Sequence, residues 1–79
     1  MKISIIGTGY VGLVSGVCLS SIGHTVYCID CIKEKIDMLN QGKSPIYEPG
    51  FDKLMAECRK KNNLFFTTDF DYAVDNTDL

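Results

Sequence analysis

The 79-residue sequence predicts an α/β fold, a parallel sheet with helices on both faces. Three observations lead there. Short β-branched or apolar runs at 2–6, 25–29 and 64–67 alternate with segments of helical periodicity. The first run passes directly into Gly7-Thr8-Gly9-Tyr10-Val11-Gly12, and a helical pattern follows at once. The second run ends in a carboxylate, Asp30.

Taken in order, residues 2–6 are apolar enough to be buried on both faces, as parallel strands are. A helix is expected from about 10 to 22, with Val11, Val14, Val17 and Cys18 at helical spacing and Leu13 and Ile22 beside them. Gly23 is a natural residue to end it in the left-handed conformation. Residues 25–29 read as a strand, a role that β-branched Thr25, Val26 and Ile29 suit. A second helix over 33–41 places Ile36, Leu39 and Asn40 on one face, and Gly42 stops it. The stretch from Lys43 to Gly50 contains Pro45 and Pro49, which push Ser44 and Glu48 toward extended geometry and make a stiff connector. Pro49 suits the first position of a third helix, in which Phe51, Leu54, Met55 and Cys58 form one apolar face before Asn62-Asn63 ends it. Leu64 to Thr67 is the third strand. Thr68, with Asp71 three residues on, predicts a capping box for a short last helix carrying Phe70, Ala73 and Val74.

Composition narrows the function classes. A net charge of −2 gives no electrostatic case for nucleic acid or an anionic membrane. The apolar N-terminal stretch is interrupted by Gly7, Gly9, Gly12 and Gly16 and lacks a cleavage site, so it does not read as a secretion signal. No run reaches the roughly 18 apolar residues of a membrane span, and the expectation is a cytoplasmic chain with no membrane partner. Cys28-Ile29-Asp30-Cys31 has C-x-x-C spacing, but no second pair and no paired histidine completes a metal shell, since His24 is the only histidine. The cysteines are expected to be reduced and mostly packed, with no metal site. Gly42-Lys43-Ser44 mimics the end of a nucleoside-triphosphate loop, yet Asp37 stands where that motif needs glycine, and a helix precedes it instead of a strand.

The constellation that carries chemistry is the strand, the G-x-G-x-x-G turn, the helix, the second strand and its terminal acid. That order and spacing define a dinucleotide site on a Rossmann-like sheet. Gly7 permits the tight turn, Gly9 lets the backbone approach a pyrophosphate, and Gly12 lets the helix pack close to the sheet. The first helix presents free N–H groups and the positive end of its dipole to the phosphates. Asp30 can accept hydrogen bonds from the adenosine ribose and would repel the 2′-phosphate of NADP, so NAD is the expected cofactor. Lys35 could reach the same ribose or a diphosphate oxygen, or simply be a solvated surface lysine. Seventy-nine residues hold little more than one of the two halves of such a domain. The expectation is therefore a sheet truncated after the first mononucleotide half, in strand order 3-2-1, with residues 1–79 the N-terminal part of a dinucleotide-binding domain. No catalytic set is present in these residues.

The residues also resemble a family. Ile3 to Leu13, Ile22-Gly23-His24, Asp30 with Lys35, and Pro45-Ile46-Tyr47-Glu48-Pro49-Gly50 are similar to the N-terminus of the UDP-glucose/GDP-mannose dehydrogenase family. The glycine motif is widely shared, whereas Tyr10-Val11 and the Pro-Ile-Tyr-Glu-Pro-Gly connector are much more specific, and Tyr47 looks more like the UDP-glucose branch. The resemblance implies cofactor contacts at Gly7, Gly9, Tyr10, Val11, Gly12, Asp30 and Lys35. It also implies a full-length enzyme of nucleotide-sugar metabolism and polysaccharide biosynthesis, a homo-oligomer that takes a UDP-sugar, UDP-glucose, and oxidises its C6 alcohol to a carboxylate with NAD used twice, with GDP-mannose or UDP-N-acetylmannosamine as the alternative substrate within the same family. The family's thioester-forming cysteine lies beyond residue 79, so the chain alone is expected to be inactive. An NAD-sensing regulatory module of the potassium-channel type shares the strand, turn and acid, but it does not normally carry the connector and extra amphipathic helix.

Overall fold

A computed structural model of the protein describes residues 1–43 and 50–77. The element order is β1 (Lys2–Ile6), α1 (Tyr10–Ser21), β2 (Thr25–Ile29), α2 (Lys33–Asn40), α3 (Phe51–Lys60), β3 (Leu64–Thr67) and α4 (Phe70–Asp75). The three strands are parallel and ordered β1-β2-β3, which is the expected 3-2-1 order viewed from the other edge. Lys2 pairs with Thr25 and Ile6 with Ile29, while Val26 pairs with Leu64 and Ile29 with Thr67. The carboxyl ends of all three strands therefore lie at one edge of the sheet.

Alternation along the strands divides the side chains between two layers. Ile3, Val26, Cys28, Leu64 and Phe66 face one side and form the main core with Leu13 and Val17 of α1, Ile36 and Leu39 of α2, and Phe51, Met55 and Cys58 of α3. Tyr27, Ile29 and Phe65 face the other side, where they meet Ala73 of α4. Tyr27 stacks on Phe65 with ring centroids 4.8 Å apart and takes the edge of Tyr72 at 5.9 Å. The Ser4 hydroxyl joins β1 to α4 by donating to the Ala73 carbonyl, and it also meets the hydroxyl of Thr77 just beyond the helix. Among the described residues, helices thus cover both faces, three on one and one on the other. Ile6, Phe70 and Val74 remain exposed around α4.

Two expectations for individual elements need correction. The expected apolar face of α1 holds only in part: Leu13 and Val17 are buried and Val14 packs against the core, but Val11 is 77% and Ile22 73% exposed, and Cys18 is exposed as well. The inward stripe is Leu13 and Val17 flanked by small residues, Gly12, Gly16 and Ser20. A Cβ at Gly16 would lie 2.7 Å from Cys28 Sγ and 3.6 Å from Val26 Cγ1, so α1 lies against β2 at a distance that only glycine permits there. Apolar periodicity misses this because close packing of helix on sheet selects for small side chains. The second correction is the cap of α4, which is Asp69 and not Thr68. Its carboxylate accepts from the Tyr72 amide at 3.0 Å, while Thr67 Oγ1 accepts from the Asp69 amide. Gly23 and Gly42 end α1 and α2 with positive φ, and Asn62 does the same after α3. The Pro45–Pro49 connector, including Tyr47 and the expected role of Pro49, lies outside the described residues.

Candidate functional site

The site is built where β1 and β2 end side by side. The Gly7 amide extends the ladder by donating to the Ile29 carbonyl at 2.6 Å, and the Asp30 amide does likewise to Thr67 at 3.2 Å. Gly7 takes φ +98°, a conformation costly for any residue with a Cβ, and this turns the chain sharply off the sheet into α1. Gly12 faces back onto that turn, where a Cβ would lie 2.5 Å from the Gly7 carbonyl oxygen. The helix start is therefore pressed against the turn, as the motif predicts. Gly9 is different: it is exposed, and a Cβ there would meet nothing within 4 Å. The space beside it is open to a ligand.

Gly9 is the N-cap of α1, and no side chain caps the helix. The first intrahelical bond runs from the Leu13 amide to the Gly9 carbonyl at 2.9 Å. The amides of Tyr10, Val11 and Gly12 precede it and point out of the helix end, which makes that end a receptor for an anion. No acidic residue occupies the first turn to compete for the position.

Asp30 lies beside this turn. Its Oδ2 accepts from both the amide and the hydroxyl of Thr8, at 3.0 and 2.8 Å, and its Oδ1 accepts from the Ile32 amide at 3.0 Å. These donors hold the carboxyl group well below the usual carboxylate range, at about 2, the Ile32 amide contributing most, then the Thr8 amide and hydroxyl, with Lys35 adding a smaller attraction. Asp30 is therefore anionic at any physiological pH. A carboxylate offers about four acceptor positions, and the protein fills three, so Oδ1 retains capacity for one more donor. Lys35 stands exposed on the first turn of α2.

Ile6, Gly7, Ile29, Asp30, Cys31, Thr68 and Phe70 line a cavity of about 250 Å³ at this edge. Pockets that enclose a drug-sized ligand run from about 300 Å³ upward, so this one suits one moiety of a dinucleotide, not the whole. A larger cavity, of about 430 Å³, opens at the opposite end of the sheet among Ser20, Glu57, Lys61 and Asn63, remote from the glycine turn.

Of the residues the sequence singles out, Gly7 and Asp30 line the same cavity, Gly12 is pressed against Gly7, and Gly9 caps the helix that leaves this turn. The sequence did not find Thr8, which is 3% exposed and makes two of the three bonds to Asp30. A hydroxyl residue between the first two glycines was its one available signal. The C-x-x-C pair separates: Cys28 is buried in the core with its thiol pushed up to about 12 by desolvation, whereas Cys31 is exposed beside the cavity. Cys58 is buried and Cys18 exposed, so only two of the four cysteines are packed.

Turn, helix end and strand-end acid together define a dinucleotide-binding module of Rossmann type. Over residues 1–79 the sequence matches the UDP-glucose/GDP-mannose dehydrogenase family, NAD binding domain, and the chain belongs to that family. It is 51% identical to the GDP-mannose 6-dehydrogenase of Pseudomonas aeruginosa and 49% identical to the UDP-glucose 6-dehydrogenase of Rhizobium meliloti, each over 79 residues. In both cases the alignment takes in all of this chain but 18% of the relative. Among solved structures, a ternary complex of the Pseudomonas aeruginosa GDP-mannose dehydrogenase superposes with a TM-score of 0.91 at 51% identity, covering 99% of this chain and 18% of that one. A UDP-glucose dehydrogenase from Pyrobaculum islandicum gives 0.88 at 32% identity, covering 98% and 18%. The cofactor of this module is NAD, and the residues present fit it: an anion receptor at the helix end, open space at Gly9, and a spare acceptor on a permanently charged Asp30. Among the described residues no helix is long and apolar enough to cross a membrane.

Proposed function

We propose that residues 1–79 are the N-terminal part of the NAD-binding domain of a longer cytoplasmic nucleotide-sugar dehydrogenase, which assembles as a homo-oligomer and oxidises UDP-glucose to UDP-glucuronate. The observation that carries the reading is the fixed, ionised Asp30 standing beside an uncapped helix end. Gly9 and the amides of Tyr10, Val11 and Gly12 receive the pyrophosphate, Gly7 and Gly12 hold the turn in shape, and Asp30 takes the adenosine ribose with Lys35 nearby. Bound NAD supplies hydride acceptance. This chain's residues bind and orient the adenosine half, while the nucleotide sugar and the catalytic groups belong to the remainder of the longer protein.

A second reading, GDP-mannose as substrate, is favoured by the 51% identity to a GDP-mannose 6-dehydrogenase. The Tyr47 connector is the feature that favours UDP-glucose. Membership of a dehydrogenase family weighs against the regulatory NAD-sensing module. Incubating the full-length protein with NAD⁺ and either UDP-glucose or GDP-mannose, and following NADH absorbance, separates the readings. Two NADH per UDP-glucose is the expected result; turnover of GDP-mannose alone transfers the assignment to the second substrate, and turnover of neither overturns it.

A further inference from the structure

We propose that Thr8 is a positioning residue that sets the preference for NAD over NADP by fixing the direction of the Asp30 carboxylate. The inference rests on the assignment of Asp30 to the adenosine ribose.

Asp30 is gripped on both oxygens. Thr8 holds Oδ2 with its amide and its hydroxyl, and the Ile32 amide holds Oδ1. Rotation about the Cβ–Cγ bond of Asp30 would break all three bonds together. Amides alone would leave Oδ2 with a single anchor; the Thr8 hydroxyl, the shortest of the three contacts at 2.8 Å, makes it two. The position is also sheltered, since Thr8 is 3% exposed and water has little access to replace its hydroxyl. A fixed carboxylate has two consequences for a ribose at the cavity mouth. Its spare Oδ1 acceptor is pre-oriented for the 2′-hydroxyl of NAD, so little ordering entropy is lost on binding. It also cannot swing aside to admit the 2′-phosphate of NADP, and repulsion between the two anions persists. Discrimination therefore arises from a residue that touches neither cofactor.

The test is calorimetric titration of NAD and of NADP into the full-length protein and its Thr8→Val, Thr8→Ser, Asp30→Ala and Thr8→Val/Asp30→Ala variants, with thermal unfolding to establish that each is folded. Thr8→Val preserves shape and removes the hydroxyl. Loss of one charge-assisted hydrogen bond, transmitted only in part, should weaken NAD about three- to tenfold. NADP binding should stay the same or tighten. Thr8→Ser should bind NAD within about twofold of the parent, because it retains the donor. On the Asp30→Ala background, Thr8→Val should have no further effect, as a residue acting only through Asp30 requires. Equal weakening of NAD and NADP, or the same weakening with Asp30 already removed, would overturn the proposal and leave Thr8 a structural residue. If Thr8→Val does not fold, Thr8→Ala is read in the same way. Failure of the parent itself to bind NAD would refute the cofactor site as a whole, a result distinct from failure of the Thr8 role.

Discussion

Gly9→Ala and Gly12→Ala should separate stability from cofactor binding, although the two glycines are three positions apart in one motif. At Gly12 the new Cβ would lie 2.5 Å from the Gly7 carbonyl oxygen. Carbon and carbonyl oxygen meet comfortably at about 3.3 Å, so the start of α1 or the turn must retreat by roughly 0.8 Å. The obstructing atom is backbone, and no rotamer change can relieve it. Overpacking of this kind costs about 1–3 kcal/mol, and the better helix propensity of alanine returns at most about 1 kcal/mol. A net loss of about 1–2 kcal/mol is expected, and the displaced turn carries the Thr8 groups that hold Asp30, so binding should fall too. At Gly9 the backbone (φ −68°, ψ −178°) suits any residue and the site is open. Alanine is a poorer N-cap by about 0.5–1 kcal/mol but restricts the unfolded chain by about 0.4–1 kcal/mol, so stability should change by less than about 1 kcal/mol. Its methyl group would stand where the pyrophosphate approaches, and NAD affinity should fall at least about tenfold. Urea unfolding and NAD titration of both variants provide the readout. A Gly9→Ala protein that binds NAD as the parent does would refute the placement of the phosphates, and a Gly12→Ala protein of unchanged stability would refute the packing argument.

Three further outcomes are expected. Asp30→Ala should raise the KM for NAD by about five- to 150-fold, the equivalent of about 1–3 kcal/mol, in steady-state assays of the full-length protein, and a parent that prefers NADP would contradict the role of Asp30. Because its carboxyl is held at about 2 in the folded protein, against an ordinary 3.8, Asp30 contributes stability that is complete above about pH 4 and lost as pH falls toward 2; Asp30→Asn should flatten acid unfolding in that window, as circular dichroism would record. Cys18 and Cys31 should react with a thiol reagent in the native state and Cys28 and Cys58 only on unfolding, and rapid modification of all four would mean that the core described here is open.

Much of this fold could be read from residue types because its elements are locally consistent. The β-branched runs of β1 and β2, and the glycines with positive φ that close α1 and α2, each specify their own element. The glycine turn and Asp30 were legible for the same reason, since strand ends in a parallel sheet fall at one edge. What escaped was decided by neighbours distant in sequence. Gly16 marks a buried face only because Cys28 lies opposite it, and Val11, apolar and at helical spacing, is exposed because the helix turns its small residues to the sheet. Thr8 reaches a partner 22 positions away, and no local pattern records that bond. Thr68 had the residue type and spacing of a cap, but Asp69 is a stronger acceptor one position later, and the backbone chose it.

The most direct test of the site is a crystal structure of the full-length protein with NAD bound. The pyrophosphate is expected over the amides of Tyr10, Val11 and Gly12 beside Gly9, with a ribose hydroxyl hydrogen-bonded to Asp30 Oδ1 while Thr8 and Ile32 keep their present bonds. Adenosine seated elsewhere, or an Asp30 carboxylate turned away from the ribose, would contradict the account.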